Sequence, residues 1–321
     1  MLRKQHKVIS DVDITFFTPT TGKPVRKGLV LSDIHMPFHP PDLLNDIVKQ
    51  HSDADALFIN GDLVEGYNIS HFMKEKYIPM MFEYALALEW LYKMSKIFKD
   101  VYITRGNHEF RLNKQVWSKL SPDVLWRVQN EADLLVKLAD GIILNEQAEE
   151  VGQYDFSNVT YEGCLGQEPW WTKWGQTIIC HPYKGSSDYN AKTARNFAEK
   201  YFTGNQESFD CVIAAHTHQV AEIYVNGKKY IEQGCITSPL DYAKRGTESY
   251  APQQLGYALI YQDKNNNTIF DMTRAVYLGV MCTHKSGDLK ARVRARAKEA
   301  EEALKKQLAS TKKTIKLAKK K

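Results

Sequence analysis

The stretch Gly28-Leu29-Val30-Leu31-Ser32-Asp33-Ile34-His35 decides the fold. Its first four residues form a short apolar run, which is typical of a buried β-strand, and polar residues follow directly. The same pattern returns at Ala56–Asn60, followed by Gly61-Asp62, and at Val101–Thr104, followed by Arg105-Gly106-Asn107-His108-Glu109. Three buried strands, each ending in a polar cluster, are therefore predicted in the first third of the chain.

Segments of helical character separate these strands. Residues 40–50 begin with two prolines, which suit the first turn of a helix, and Tyr77–Phe98 has apolar residues at helical spacing. Alternating strands and helices predict a parallel α/β layer. A further helix is predicted at Leu112–Leu138 and a loop or insertion at 145–167. The second half is richer in strands, which are predicted at 177–180, 211–214, 221–225, 229–232, 257–261 and 268–275.

Polar clusters also follow two strands of the second half. His181 comes after 177–180, and Ala215-His216-Thr217-His218 comes after 211–214. Because the ligand-binding groups of open α/β sheets gather at the carboxyl ends of the strands, we expect all five clusters to lie together. Asp and Asn supply hard oxygen ligands, and imidazole supplies a nitrogen ligand. These residues predict one pocket for two divalent cations about 3.5–4 Å apart, with a carboxylate between them.

Each cluster alone is weak evidence. Asp-x-His and Gly-Asp occur by chance in many chains, and a single histidine after a strand is more often structural. Here, however, five of the ten histidines fall inside clusters that each follow a predicted strand. The combination favours one shared metal centre over unrelated structural residues.

The ordered set over about residues 27–240 resembles the calcineurin-like metallophosphoesterase superfamily, and Gly-Asn-His-Glu-Phe-Arg resembles its stand-alone phage and bacterial members. The resemblance implies an α/β fold in which a two-sheet β-sandwich is flanked by helices in four layers, αββα. It implies two divalent metal ions, with Mn²⁺ expected and Fe, Zn or Ni as alternatives. The implied ligands are Asp33, His35 and His218 for the first metal, Asp62 as the bridge, and Asn107, His181 and His216 for the second.

The resemblance also implies a reaction. A hydroxide that bridges the metals would attack phosphorus, and His108 would assist the leaving oxygen. Glu65 matches the acid that orients this histidine in protein Ser/Thr phosphatases. Those phosphatases carry an arginine after the acid, where this chain has Gly66, and this difference counts against a protein phosphatase. The usual Gly-His-x-His begins here with Ala215, which is tolerated if its backbone does not require a positive φ.

We therefore expect a phosphate-ester substrate, and the missing arginine and basic C-terminus favour a phosphodiesterase or nuclease. A phosphomonoesterase acting on proteins or small molecules is the main alternative. A non-catalytic scaffold is disfavoured because every ligand position and His108 are filled. A nucleic-acid-binding module would hold only a structural metal, and structural sites are normally closed and saturated. Metal-dependent turnover of a simple phosphodiester would separate these classes.

Two arginines and three tryptophans lie beside the motifs. Either Arg105 or Arg111 can bind a phosphate oxygen through its guanidinium fork, or each can form a surface ion pair. Trp170, Trp171 and Trp174 can stack a nucleobase, but packing in the core or in a loop is the favoured interpretation.

Composition limits the cellular setting. The chain of 321 residues is 43% hydrophobic and 25% charged, as in soluble globular proteins. It has no run of about 18 apolar residues, so no membrane contact is expected, and its basic N-terminus lacks the apolar part of a secretory signal. The five cysteines are widely spaced and form no CxxC pair, which argues against a disulfide framework. These features predict a cytoplasmic protein and leave the oligomeric state open.

Charge divides the chain into a body and a tail. Residues 285–321 contain 14 Lys/Arg and 4 Asp/Glu, a net charge of +10, so the overall +5 leaves the first 284 residues at −5. We predict an arm or edge strand at 1–26, the metallophosphoesterase domain at 27–284 and a basic helical tail at 285–321. The tail can dock on the body through an apolar stripe, which is the favoured interpretation, contact nucleic acid, or form a coiled-coil seam.

Overall fold

A computed structural model describes residues 23–70, 74, 76–121, 123–124, 133–162, 170–183, 186–187, 189–202, 208–240 and 253–280. The predicted arm at 1–26 is described only from residue 23, and Arg26 already belongs to the first strand. The predicted tail at 285–321 lies outside the described residues. All predicted metal ligands and catalytic residues lie inside them.

Within these ranges, strands and helices alternate in the first half and strands dominate the second. The strands are β1 (Arg26–Leu31), β2 (Ala56–Asn60), β3 (Asp100–Thr104), β4 (Ile142–Leu144), β5 (Glu150–Gln153), β6 (Val159–Glu162), β7 (Trp171–Trp174), β8 (Thr177–Cys180), β9 (Cys211–Ala214), β10 (Val220–Val225), β11 (Lys228–Gln233), β12 (Gln254–Gln262) and β13 (Arg274–Val280). The helices are α1 (Pro41–Gln50), α2 (Met80–Ile97), α3 (Phe110–Lys119), α4 (Leu134–Ala139) and α5 (Lys192–Tyr201), with a 3-10 turn at Tyr67–Ile69. No helix in the described ranges combines the length and the apolar character that a membrane crossing requires.

The strands form two main sheets and one hairpin. The larger sheet has the order β13-β12-β1-β2-β3-β6, in which β1, β2, β3 and β6 are parallel. The smaller sheet has the order β10-β11-β9-β8-β7, in which β8, β9 and β11 are parallel. The hairpin consists of β4 and β5. The carboxyl ends of β1, β2 and β3 therefore meet at one edge of the larger sheet, and those of β8 and β9 meet at one edge of the smaller sheet.

The two main sheets pack face to face with helices outside them. Phe58 of β2 lies in the apolar cluster between the sheets, together with Ile213 and Ile260. Its neighbours Leu57 and Ile59 face the other side, since side chains alternate along a strand, and pack in the cluster that contains α1, α2 and α4. On the outer face of the smaller sheet, a third cluster joins β8 and β9 to α5. These layers confirm the predicted αββα arrangement.

The predicted loop at 145–167 is wrong for part of its length. The structure places β5 and β6 there, and β6 extends the larger sheet by pairing with β3. Val159 and Tyr161 alternate with polar residues and pack against the core, a period-two pattern that predicts a strand.

The predicted helix at Leu112–Leu138 is also interrupted. Helix α3 ends at Lys119, and Leu120 has the extended φ of −102° and ψ of 144°. The next residues are Ser121 and Pro122, and the residue before a proline is disfavoured in the helical conformation. A separate helix, α4, begins at Leu134.

Candidate metal centre

The predicted ligands lie in loops that follow strands of both main sheets, and five of them have a strained backbone. Positive φ angles occur at Asp33 (47°), His35 (50°), Asp62 (53°), His216 (77°) and His218 (55°). A left-handed conformation costs a non-glycine residue on the order of 1–3 kcal/mol, and such strain concentrates at functional sites. The fold therefore accepts strain where it turns these side chains toward one another.

Asp33, His35 and His218 form the first group of donor atoms. Oδ1 of Asp33 lies 3.0 Å from Nε2 of His218 and 3.8 Å from Nε2 of His35. The two imidazole nitrogens are 3.3 Å apart. The ligand atoms of all three residues lie within 4.8 Å of one another, and all three residues are buried. Because β1 and β9 belong to different sheets, this group joins the edges of the sandwich.

Asp62, His181 and His216 form the second group, again with ligand atoms within 4.8 Å of one another. Oδ2 of Asp62 lies 3.4 Å from Nε2 of His181, and Oδ1 of Asn107 lies 3.1 Å from the same nitrogen. Oδ2 of Asp62 is also 3.8 Å from Nε2 of His35, which belongs to the first group. Asp62 therefore lies between the two groups, as a bridging ligand must.

His108 lies beside both carboxylates of the β2 loop. Its Nε2 is 3.7 Å from Oδ2 of Asp62, and its Nδ1 is 3.0 Å from Oε2 of Glu65. The same Glu65 oxygen is 2.8 Å from Nδ1 of His35. Nη2 of Arg111 donates to Nε2 of His108 over 2.7 Å. His108 also lies close enough to His35 and Asp62 to act as a ligand itself, so its role requires a test that measures metal content.

Glu109 is a supporting residue to which the sequence motifs assigned no role. Its carboxylate accepts backbone N–H groups from Asp62 over 3.0 Å, from Val64 over 3.1 Å and from Gly106 over 2.9 Å. These bonds fasten the loop after β2 to the loop after β3. Its position directly after the Asn-His pair is the signal that would have found it.

Gln253 is a second supporting residue that the sequence did not indicate. Its Nε2 lies 2.8 Å from Nδ1 of His218, the ring nitrogen on the side away from Asp33. Contacts of this kind fix the orientation of a ligating ring. Gln253 precedes β12 and is far from every motif in the chain, so only the fold reveals it.

The electrostatics of the site fit cation binding. Burial raises the pKa of Asp33, but His218 and His181 together outweigh burial and lower that pKa to about 2. Burial also opposes ionisation of Asp62, yet the surrounding histidines hold its pKa well below the usual value. Burial and the nearby His181 lower the pKa of His216 to about 3, so its imidazole is in the neutral form that binds metals. Burial opposes protonation of His181, but Asp62 raises its pKa to about 9, so a protonated histidine supplies positive charge beside these two buried, ionised carboxylates. Divalent cations would take over that charge, and His181 would release its proton on binding one.

The two predicted phosphate-binding arginines have different surroundings. Arg105 is fully buried, pairs with Asp133 and donates from Nε to the Tyr161 hydroxyl over 3.0 Å. This pairing engages the Arg105 guanidinium away from the metal ligands, so the structure does not support its phosphate role. Arg105 instead forms an ion pair with Asp133, as in the second alternative, but this pair is buried and not at the surface. Arg111 contacts His108 and donates from Nη1 to the backbone carbonyl of Glu65 over 2.8 Å, so, unlike Arg105, it lies beside the candidate metal centre. Its side chain is 14% exposed.

The three tryptophans predicted either to pack in the core or a loop or to stack a nucleobase are found packed against the protein. Trp170 and Trp174 are buried. The ring of Trp171 packs edge-on against Phe202, with 5.0 Å between ring centroids. The two buried rings therefore belong to the core.

Both departures from the family pattern fit the backbone. Gly66 has a φ of 60° and precedes the 3-10 turn, where a residue with a side chain would be strained. Its N–H donates to Oε2 of Glu83 over 2.6 Å. The described residues with positive φ include His216 and His218 but not Ala215. Alanine therefore fits at 215, as expected.

This chain was also compared with known protein families, curated proteins and solved structures. A family model described as calcineurin-like phosphoesterase matches residues 27–220, more than half of the chain. A search of the curated proteins gives no match. Similar solved structures include Vacuolar Protein Sorting 29 from Cryptosporidium parvum, with 13% identity and a TM-score of 0.37 over 80% of this chain and 100% of that one. They also include a predicted phosphoesterase from Streptococcus pneumoniae TIGR4, with 12% identity and a TM-score of 0.31 over 79% and 98% of the two chains. A hypothetical protein from Pyrococcus horikoshii OT3 has 12% identity and a TM-score of 0.43 over 86% and 93%.

Proposed function

Since this chain belongs to the calcineurin-like phosphoesterase family and is a metal-dependent hydrolase of phosphate esters, we propose that it cleaves phosphodiesters at a centre of two divalent cations. The observation that supports two cations is the position of Asp62, whose Oδ2 lies 3.4 Å from Nε2 of His181 and 3.8 Å from Nε2 of His35. Mixed oxygen and imidazole donors suit Mn²⁺, with Fe, Zn and Ni as alternatives. The proposed ligands are Asp33, His35 and His218 for one cation, Asn107, His181 and His216 for the other, and Asp62 for both.

The cations, when bound, would supply positive charge to the phosphate oxygens and activate the attacking water. The side chains of this protein supply position and protons. We assign His108 the proton donated to the leaving oxygen, with Glu65 holding the opposite ring nitrogen. Arg111 lies 2.7 Å from Nε2 of His108, and it would turn from this nitrogen to a phosphate oxygen when substrate enters.

Two features favour a diester. Gly66 stands where protein phosphatases carry a phosphate-binding arginine, and residues 285–321 carry a net charge of +10 that suits contact with nucleic acid. Phosphomonoester hydrolysis is the second candidate, because Arg111, which lies beside His108, could bind a terminal phosphate in place of the missing arginine. We also propose a cytoplasmic location, because the described cysteines, Cys180, Cys211 and Cys235, are buried free thiols.

A direct assay tests the proposal. Purified protein would be supplied with Mn²⁺, Mg²⁺, Zn²⁺ or Ni²⁺ and given bis-p-nitrophenyl phosphate, p-nitrophenyl phosphate, single-stranded DNA and RNA. We expect metal-dependent turnover with a higher kcat/KM for the diester than for the monoester. The reverse order would identify a phosphomonoesterase. Failure to hydrolyse any of these substrates with any metal would contradict the proposed function.

A further inference from the structure

Tyr183 presents an aromatic ring at the rim of the metal centre. It follows His181 by two residues, and its ring meets that of His216 edge-on, with 6.0 Å between centroids and an angle of 87°. One face stacks on Trp170, with 6.3 Å between centroids and an angle of 18°. Trp170 is fully buried, but Tyr183 is 36% exposed. The ring therefore has one supported face and an exposed part beside the proposed second cation.

A column of aromatic rings holds Tyr183 in place. Trp170 packs against Phe110, and Phe110 packs against Trp117, with 5.2 Å between centroids in each pair. Phe110 is the first residue of α3 and follows His108 by two positions. A ring supported in this way loses little conformational freedom when a ligand covers it, so binding energy is not used to order it.

We propose that Tyr183 stacks a nucleobase in the part of the phosphodiester that stays on phosphorus. The inference rests on the proposed function. Tyr183 contacts His216, a member of the group that also contains Asp62 and His181. His108, the proposed donor to the leaving oxygen, lies in a different group, with His35 and Asp62. In a nucleic-acid diester the sugar that stays on phosphorus carries a nucleobase, and every base has a π face for stacking. A monoester has no such retained group, so Tyr183 would select nucleoside diesters.

The test compares two diesters with the same leaving group. Thymidine 5′-(p-nitrophenyl phosphate) retains a nucleoside, and methyl p-nitrophenyl phosphate retains a methyl group. We measure the ratio of their kcat/KM values in the wild-type protein and in Tyr183→Leu, Tyr183→Phe and Tyr277→Leu. Tyr277 is a matched control, because it is 53% exposed on strand β13. The ratio should fall about 5- to 100-fold in Tyr183→Leu and remain near the wild-type value in Tyr183→Phe and Tyr277→Leu.

Each outcome decides the proposal. An unchanged ratio in Tyr183→Leu would overturn base stacking. If both kcat/KM values then fall by the same factor, the ring only supports His216. If the wild type hydrolyses neither diester, the proposed function fails, and equilibrium binding of thymidine 5′-monophosphate and methyl phosphate then decides on stacking alone. A nucleotide preference that is lost in Tyr183→Leu supports the proposal, and equal affinities for the two ligands contradict it.

Discussion

The two ring nitrogens of His108 face different partners. Nε2 accepts a hydrogen bond from Arg111 over 2.7 Å, and Nδ1 is 2.8 Å from the backbone carbonyl oxygen of Glu65. Because a guanidinium only donates, Nε2 acts as the acceptor, and Nδ1 carries the proton toward Glu65. To protonate a leaving oxygen, Nε2 must first carry a proton, and it can do so only when Arg111 no longer donates to it. The chemistry at His108 and the position of Arg111 are therefore linked.

Replacement of His108 by alanine should separate chemistry from metal binding. We expect kcat to fall by about 10²–10⁴, the usual contribution of a positioned acid, while the metal content stays at the wild-type value. The loss should be smaller for a p-nitrophenolate leaving group than for an alkoxide, because nitrophenolate needs little protonation. Steady-state kinetics with both substrates and elemental analysis check this. Loss of metal in His108→Ala would show that His108 is a ligand.

Replacement of Arg111 by methionine should weaken phosphate binding. A hydrogen bond to a charged group contributes about 1.5–3 kcal/mol, so kcat/KM should fall about 10- to 100-fold. Arg111→Lys should recover part of this loss, since it keeps the charge without the fork. Lys114→Met, an exposed position on the same helix, is the control and should stay near wild type. Wild-type kcat/KM in Arg111→Met would remove Arg111 from the site.

Among the secondary-structure elements, β3 and α4 are joined by one buried ion pair. Arg105 follows β3, and Asp133 caps α4 by accepting the N–H of Val136 over 3.3 Å. Arg105→Met should destabilise the protein by about 3–5 kcal/mol, because it leaves the Asp133 charge buried without its partner. Lys93→Met breaks the exposed pair with Glu89 on α2 and should cost at most about 1 kcal/mol. Urea unfolding measures both values, and equal losses would contradict the account.

The elements that carry the site were predictable from sequence because each has a local signal. Strands β1, β2, β3, β8 and β9 each contain a short apolar run, and parallel strands buried on both faces have this composition. The helix predicted at Leu112–Leu138 shows the limit of prediction from local signals, because its apolar spacing continues past Pro122 although the helix does not. Strand β6 was missed because an edge strand in a polar segment has only a weak alternation.

The site was predictable to the same extent. The proposed ligands lie in the loops that follow the strongly apolar strands, so their meeting point could be inferred from the topology. Gln253, which contacts His218, could not be inferred, because long-range packing alone brings it there. For Arg105 the sequence left two alternatives open, a phosphate contact and an ion pair, because its partner Asp133 is distant in sequence and burial is not visible in a motif.

The whole molecule places the site where the edges of its two sheets meet. Asp33 and Asp62 follow strands of the larger sheet, and His181, His216 and His218 follow strands of the smaller sheet. Cations bound there would therefore connect both halves of the sandwich. The basic tail at 285–321 could attract a nucleic acid to the protein over a longer range, and this would not involve the proposed metal ligands.

Deletion of residues 286–321 tests that contribution. If the tail binds nucleic acid, the deletion should raise KM for a long polynucleotide and change little for bis-p-nitrophenyl phosphate, because remote phosphates contribute to binding and not to the transition state. The salt dependence of the polymer KM should become shallower. Equal polymer KM and equal salt slope would exclude the nucleic-acid role. A lower melting temperature with equal losses on both substrates would indicate docking on the body, and a change of mass in light scattering would indicate a coiled-coil seam.

The number of metals per chain tests the central claim most directly. Elemental analysis of protein reconstituted with Mn²⁺ and freed of excess metal should find about two metals per chain. Asp62→Ala should lower occupancy of both positions, because the Asp62 carboxylate lies between both groups of ligands. One metal per chain in the wild type, or two tightly bound metals in Asp62→Ala, would contradict a centre bridged by Asp62.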